Sequence, residues 1–517
     1  MAFRASILLY SASNTRRCAL QHVLRASKST TATSQVYVGS GGESTKPFSE
    51  MPGDAGWPVV GAVRSIPELI SGKVGKESYV YKLCAKYGTI ARVNIPGFGW
   101  MVFVNGTEAV ETMFRTEGKY PSRGAVFEQA VTNIYKHSNW PSGLIFAYGE
   151  DWKRIRSAIG KQVIPRRVGN LTPPLCSVTG DLLNHLEETT SSNGGKIEDV
   201  TPILTKWAFQ NTAYFVFGEN LEVYNTDKQT HQEFMEAGLE FIKQVGLIVP
   251  LPIFKYFPSI AYRTFIQATK RMRELGKQVM ERKVVALSEE IARGVVDETR
   301  AVGILEQWLI EGKLEPEDAL TQACDLLSAG LDTTKNTSTF MLHELAKQPA
   351  LQDQLCAEIR TVLGDKVNPS WEDLQNIPLV RYCLKETLRL YPAVEMNTRE
   401  ITTDVVLNGY QVPAGTAVIS CNSLMSHSTD YFDEPDKFIP ERWNKSKEDS
   451  IHPFVSLPFG FGQRGCYGRR LAELEIYILL TKLIPRFTLS TDQDSIALFQ
   501  GTVLKPNEPV PITIKER

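Results

Sequence analysis

The sequence predicts a mainly α protein with small β-sheets near both ends. From about Asp151 to Pro392, apolar residues recur mostly at helical spacing. Strand-like patches are confined to short runs before and after that stretch. After residue 52 there is no long Gly/Ser- or Pro-rich tract and no block of like charge. Although 517 residues would by length suggest two or three domains, one domain over residues 43–517 is therefore expected.

The elements follow in order. Residues 1–42 carry Arg4, Arg16, Arg17, Arg25 and Lys28, are rich in Ser and Thr, and precede the first acidic residue, Glu43. Arg-rich, Ser-rich and acid-poor is the composition of an organelle transit peptide, and a basic tail is the plainer alternative. A membrane anchor needs roughly 20 consecutive apolar residues, and the best early run, Ile7 to Tyr10, is far shorter. Residues 47–61 are too punctuated by Pro and Gly for helix. Ile90–Ile95 and Trp100–Val104 read as a hairpin around Pro96-Gly97-Phe98-Gly99. Residues 121–148, with Pro121, Gly124, Pro141 and Gly143, read as a long irregular stretch, and such stretches are often functional. Strand patterns return near Asp404 to Val412 and at the C-terminus.

Bulk numbers exclude some functions. A formal net charge of −1 leaves no basic surplus for nucleic acid. The eight cysteines form no CxxC pair, which argues against zinc. A chain this long needs no disulfide framework, so most of these cysteines are expected to be small buried residues.

One segment concentrates chemistry. Phe459-Gly-Phe-Gly-Gln-Arg-Gly-Cys466-Tyr-Gly468 sets four glycines around a cysteine. Glycine permits positive φ and close approach, so backbone N–H groups can ring the sulfur and stabilise a thiolate. Leu471, Leu474 and Ile478 follow at helical spacing, which puts Cys466 just before a helix N-terminus. A second segment, Ala329-Gly330-Leu331-Asp332-Thr333-Thr334, lies inside a helical run from about Glu317 to Lys347. Glycine and threonine are poor helix formers there, and a Thr hydroxyl can compete for backbone carbonyls and open the helix locally. Glu386 and Arg389 share a helix face at i, i+3, and Trp152 and Arg156 share one at i, i+4.

Together these segments resemble the cytochrome P-450 family. Phe459, Gly462, Arg464, Cys466 and Gly468 match every fixed position of the haem-binding pattern Phe-x-x-Gly-x-Arg-x-Cys-x-Gly. The resemblance runs from about residue 47 to the end. It implies a helix-rich triangular prism, with haem b buried between the central helix and the Cys loop and O2 as co-substrate. Cys466 would ligate iron, pushing electron density towards O–O cleavage. Phe459 would pack on the haem. Trp152, Arg156, Arg399 and Arg464 would hold its propionates. Gly330 would make room for O2, and Asp332 with Thr333 would deliver protons. Glu386, Arg389 and Arg442 would form a structural network. Substrate contacts would come from 125–147, Ala329, Val394 to Asn397 and 499–504.

The reaction implied is insertion of one oxygen atom into an apolar substrate. Steroid, secosteroid, ecdysteroid-like and foreign lipophilic compounds all remain open. No flavin or dinucleotide fingerprint is visible, so electrons must come from outside. The transit-like leader, Arg381 with Lys385, and Arg469-Arg470 resemble the mitochondrial branch. In that branch such residues dock an adrenodoxin-type [2Fe-2S] ferredoxin, itself reduced by an NADPH-dependent reductase. The resemblance implies the matrix side of the inner membrane, with peripheral contact through the broken apolar run 245–257. Two rivals stay open: a haem-thiolate isomerase or dehydratase needing no external electrons, and a non-catalytic haem-binding sensor. Asp332-Thr333 argues against the first.

Overall fold

Proline starts helices in this chain, because its missing N–H is one that a first helical turn leaves unbonded anyway. Pro316, Pro349 and Pro378 each sit in the first turn of a helix in the computed structural model. The structure describes residues 45–54, 56, 65–95, 99–160, 163–192, 194–221, 229–248, 259–293, 303–444 and 451–517. The transit-like leader, the turn residues 96–98 and residues 249–257 of the apolar run lie outside the described residues.

The helices that position the site are α1 (Tyr79–Tyr87), α2 (Thr107–Arg115), α3 (Ala125–His137), α4 (Gly149–Gly160), α5 (Thr172–Ser192), α6 (Thr201–Phe217), α7 (Gln229–Ile248), α8 (Ile260–Arg293), α9 (Pro316–Ala346), α10 (Pro349–Leu363), α11 (Pro378–Leu390) and α12 (Arg469–Leu483). The central helix α9 is 31 residues long, and Glu317 and Asp318 in its first turn complement the positive end of its dipole. Helix α6 is apolar on nearly every side, from Leu204 and Trp207 to Phe215 and Phe217. Only full burial suits such a helix, and it packs along α9. Among the described residues no helix is long and apolar enough to cross a membrane.

The strands form small sheets. β1 (Gly53–Asp54), β2 (Ile90–Ile95), β3 (Gly99–Val104), β5 (Asn397–Glu400) and β8 (Ala417–Ser420) make one sheet in the order β1-β2-β3-β8-β5. The hairpin expected around 96–99 is its β2–β3 pair, in register Ile95↔Gly99. β8 lies parallel to β3 and antiparallel to β5, and the latter pairing fixes Arg399 opposite Val418. β6 (Val405–Leu407) and β7 (Tyr410–Val412) form a hairpin, as do β10 (Leu498–Gln500) and β11 (Leu504–Pro506). The C-terminal strand β12 (Ile512–Glu516) lies between β9 (Phe487–Ser490) and the short β4 (Lys196–Ile197). This is the expected architecture, with helices dominant and small sheets whose strands, the short β4 excepted, lie outside the main helical stretch.

Two expectations need correcting. The irregular reading of 121–148 missed α3. Its punctuating Pro and Gly residues flank the helix instead of interrupting it, and no breaker lies between Gly124 and Ser138. Val131, Ile134 and Tyr135, at i, i+3 and i+4, bury its inner face. Nor does α9 open at the Gly-Thr segment. The Thr333 hydroxyl donates to the Ala329 carbonyl at 2.8 Å and the Thr337 hydroxyl to the Thr333 carbonyl at 2.9 Å, and the helix runs on unbroken.

Candidate active site

Cys466 ends a tight turn. Its N–H donates to the Phe459 carbonyl at 2.8 Å, and the Gly465 N–H donates to the Gly462 carbonyl at 3.1 Å. Gly460 (φ 66°) and Gly462 (φ 74°) take left-handed backbone that other residues resist. Gly468 caps α12, and the N–H groups of Gly468 and Arg469 reach the sulfur. Burial pushes the Cys466 thiol up, while those two N–H groups and the charges of Arg156 and Arg469 oppose the rise. The side chain is deep among protein atoms yet keeps accessible surface.

The burial of the central helix lapses at one place. From Asp318 to Ala346 every residue is buried except Ala329, Gly330, Asp332 and Thr333. Asp332 pairs with Lys335, one turn on along α9. Glu475 of α12 lies beside Thr334. Burial pushes its carboxyl up to about 8, with the Thr334 hydroxyl opposing, so the Cys helix and the central helix meet through a buried polar pair.

A Cβ at Gly330 would lie 2.7 Å from Thr212 Oγ1 and 2.8 Å from Thr212 Cγ2, so its missing side chain lets α6 approach α9.

The expected propionate residues gather round the loop. Trp152 is buried on α4, and the Arg464 guanidinium lies 4.6 Å from its ring. Arg464 Nε donates to Pro121 O at 2.7 Å and Nη2 to Ala147 O at 2.8 Å, which ties the Cys loop to the 121–148 stretch. Arg156 Nη2 donates to Gly465 O at 3.1 Å. Arg399 donates to Glu117, Thr398 O and Phe461 O, using three of a guanidinium's five N–H groups. Phe459 packs beneath the Arg469 guanidinium at 5.4 Å. The donor set suits a thiolate-bound haem: one reachable sulfur with N–H groups aimed at it, and cationic side chains around it.

The sequence profile of the cytochrome P-450 family matches residues 51–514. The chain belongs to the cytochrome P-450 family. It is 28% identical over 480 residues to the mitochondrial 1,25-dihydroxyvitamin D(3) 24-hydroxylase of Mus musculus, covering 92% of this chain and 90% of the relative. It is 30% identical over 445 residues to the mitochondrial sterol 26-hydroxylase of Oryctolagus cuniculus, covering 82% and 81%. As a P-450 it is an oxidoreductase of the monooxygenase class that uses haem b and O2.

Other P-450 features fall into place around that centre. Glu386 takes both Arg389 Nε (2.9 Å) and Nη2 (2.8 Å), and also Arg442 Nε, Trp443 Nε1 and the Ile439 N–H, each at 2.9 Å. The segments expected to touch substrate approach one another. The Leu504 N–H donates to Ala393 O at 2.9 Å, and Thr502 Oγ1 donates to Ile242 O of α7 at 2.6 Å. Burial raises the Tyr477 hydroxyl, and the charges of Arg381 on α11 and Arg469 on α12 both oppose that rise. Arg469 also pairs with Glu473 at 2.7 Å, Arg470 donates to Val163 O at 2.9 Å, and Lys385 lies 5.3 Å from the Trp443 ring. Sequence reasoning missed Glu117, Asp325, Lys335 and Glu475. No local pattern marks Glu117, Asp325 or Glu475, whereas Lys335 follows Asp332 at i, i+3.

Proposed function

We propose that this P-450 is a mitochondrial hydroxylase of a steroid, secosteroid or related lipophile, with iron held by Cys466 and electrons from an adrenodoxin-type [2Fe-2S] ferredoxin. The observation that carries the reading is the lapse in burial of α9 at Ala329, Gly330, Asp332 and Thr333, together with a deep, reachable thiol whose turn directs N–H groups at sulfur.

Bound there, haem b supplies the iron at which O2 is reduced and split. The chain's own residues do the rest. The Gly468 and Arg469 N–H groups hold negative charge on the sulfur. Trp152, Arg156, Arg464 and the two remaining N–H groups of Arg399 would hold its propionates, and Phe459 would pack on the ring. Thr333 Oγ1, resting on the Ala329 carbonyl, would turn to hand on a proton. Asp332, held by the Lys335 ammonium, would return to Thr333 a proton taken up from water.

Relatives named for dihydroxyvitamin D(3) and sterols support the substrate class. Their names and the Arg-rich leader, residues 1–42 as a transit peptide, support the mitochondrion, and the mitochondrial-branch resemblance supports the matrix side of the inner membrane. The run 245–257 supports peripheral membrane contact. Arg381, Lys385, Arg469 and Arg470 support docking of an acidic ferredoxin that is reduced by an NADPH-dependent flavoprotein.

The test has two stages. The reduced, CO-bound spectrum of the wild type shows thiolate ligation, and Cys466→Ala abolishes it. Reconstitution with adrenodoxin-type ferredoxin and its reductase then gives NADPH-dependent hydroxylation of a sterol or secosteroid, at a rate that falls with salt. Persistence of the thiolate band in Cys466→Ala moves the ligand elsewhere. Turnover without NADPH selects an isomerase or dehydratase.

A further inference from the structure

Glu117, just beyond α2, is only 6% exposed. Its two oxygens serve different partners. Oε2 accepts from Arg399 Nε at 2.6 Å, and Oε1 accepts from the backbone N–H of Gln463 at 3.0 Å, three residues before Cys466. Gly462 makes the space: a Cβ there would lie 2.3 Å from Oε1. Arg399 closes the grip from the other side, its Nη2 donating to Phe461 O at 3.1 Å. One buried ion pair therefore holds Phe461, Gly462 and Gln463.

Glu117 is itself fixed. The Thr402 hydroxyl donates to Thr116 O at 3.2 Å, and Gly118 (φ 72°) sits so close that a Cβ would lie 2.9 Å from Thr402. The Phe114 ring lies 4.8 Å from the Arg399 guanidinium and 5.8 Å from the Phe461 ring. The Cys turn is closed by its own bonds, Cys466 N–H to Phe459 O and Gly465 N–H to Gly462 O. A shift of Gly462 therefore reaches the sulfur.

We propose that Glu117 is a positioning residue for the thiolate, which locks the 461–463 turn and balances the charge of Arg399 beside the haem site. The proposal rests on Cys466 being the iron ligand. A carboxylate this deep is tolerated only while both its donors stay in place. Its charge is weakly screened there, so it acts on the iron site as well as on Arg399. With that charge removed, the uncompensated guanidinium favours the reduced iron.

The experiment uses the full-length, haem-loaded protein. Glu117→Gln keeps the shape and an acceptor for Gln463 but removes the charge. It retains the thiolate CO band, and its haem midpoint potential moves positive of the wild type. In Glu117→Ala the CO complex loses thiolate ligation at least about tenfold faster, since the change removes both charge-assisted hydrogen bonds to the carboxylate and one alone accounts for about that factor. Gly462→Ala, which drives a Cβ into the carboxylate, accelerates that loss in the wild type, and less so in a Glu117→Ala background. A Glu117→Gln potential equal to the wild type, or a Gly462→Ala effect equal in both backgrounds, overturns the role while the Cys466 reading stands. A wild type without a thiolate band overturns both.

Discussion

Glu386 and Asp325 are both buried carboxyl groups on helices, and the chain surrounds them in opposite ways. Glu386 receives five hydrogen bonds, from Arg389 (two), Arg442, Trp443 and the Ile439 N–H. Arg389 in turn donates to the carbonyls of Ser426, Pro435 and Lys437. Asp325 of α9 receives one, from the Tyr135 hydroxyl at 3.1 Å, and its Oδ2 has no hydrogen-bond partner among the described residues. Burial pushes Asp325 up to about 7, with Tyr135 and Arg273 opposing. Beside it lies a void of about 10 Å³, lined by Tyr135, Phe241, Met272, Arg273 and Cys324, room for about one water. The fully satisfied carboxylate ties α11 to the 426–443 segment, and such networks rigidify what they join. The poorly satisfied one lies where α3, the 142–147 segment and the α7–α8 pair meet the central helix. Weakly bonded junctions are the ones that open first.

The largest test of that contrast is Glu386→Ala. It strands Arg389, which is fully buried, and removes the acceptor of Arg442, Trp443 Nε1 and the Ile439 N–H. Breaking a buried ion pair from one side costs about 3–5 kcal/mol. The variant is expected to accumulate poorly and to hold little haem, read by yield and thermal unfolding. A loss within about 1 kcal/mol, the range of an ordinary point mutation, would deny Glu386 its place as a keystone.

The satisfied side of the molecule was also the legible side. Glu386 and Arg389 are three residues apart, and the Cys466 turn and the Ala329–Thr334 segment are contiguous, so each can be matched as a short motif to the family's pattern. The other side is assembled by folding. Tyr135 and Asp325 are 190 positions apart, and Glu117 and Gln463 are 346 apart. Nothing local pairs them. A glycine reports only that something comes close, and nothing local to Gly330 marks Thr212 as that neighbour. Helix α3 was hidden because the breakers bordering it were counted as part of it.

Gly143→Ala sharpens the comparison with a smaller effect. A Cβ at 143 would lie 1.5 Å from Asp325 Oδ2, so the 142–147 segment must shift or the carboxyl must turn. Overpacking of this kind costs roughly 1–3 kcal/mol. Asp325→Ala in the same chain should remove most of that cost, giving a coupling measurable by thermal unfolding of the four proteins in a double-mutant cycle. Strict additivity would show that the strain is taken up elsewhere.

Asp325→Asn gives the smallest effect near pH 5 and a distinctive pH signature above it. The ordinary value for this carboxyl is 3.8, and in the folded protein it is about 7. Between those values the folded chain holds a proton that the unfolded chain has released. The contribution to stability is therefore fully present below about pH 4 and is lost as pH rises through 7. Asparagine cannot titrate, so the variant lacks this decline. Near pH 5 the two proteins should differ by less than about 1 kcal/mol. The variant should then gain on the wild type up to about pH 7 and hold a constant lead beyond. Unfolding midpoints measured from pH 5 to 8 decide it. Parallel curves would mean that Oδ2 finds a donor in solution, which would erase the difference between this junction and the Glu386 network.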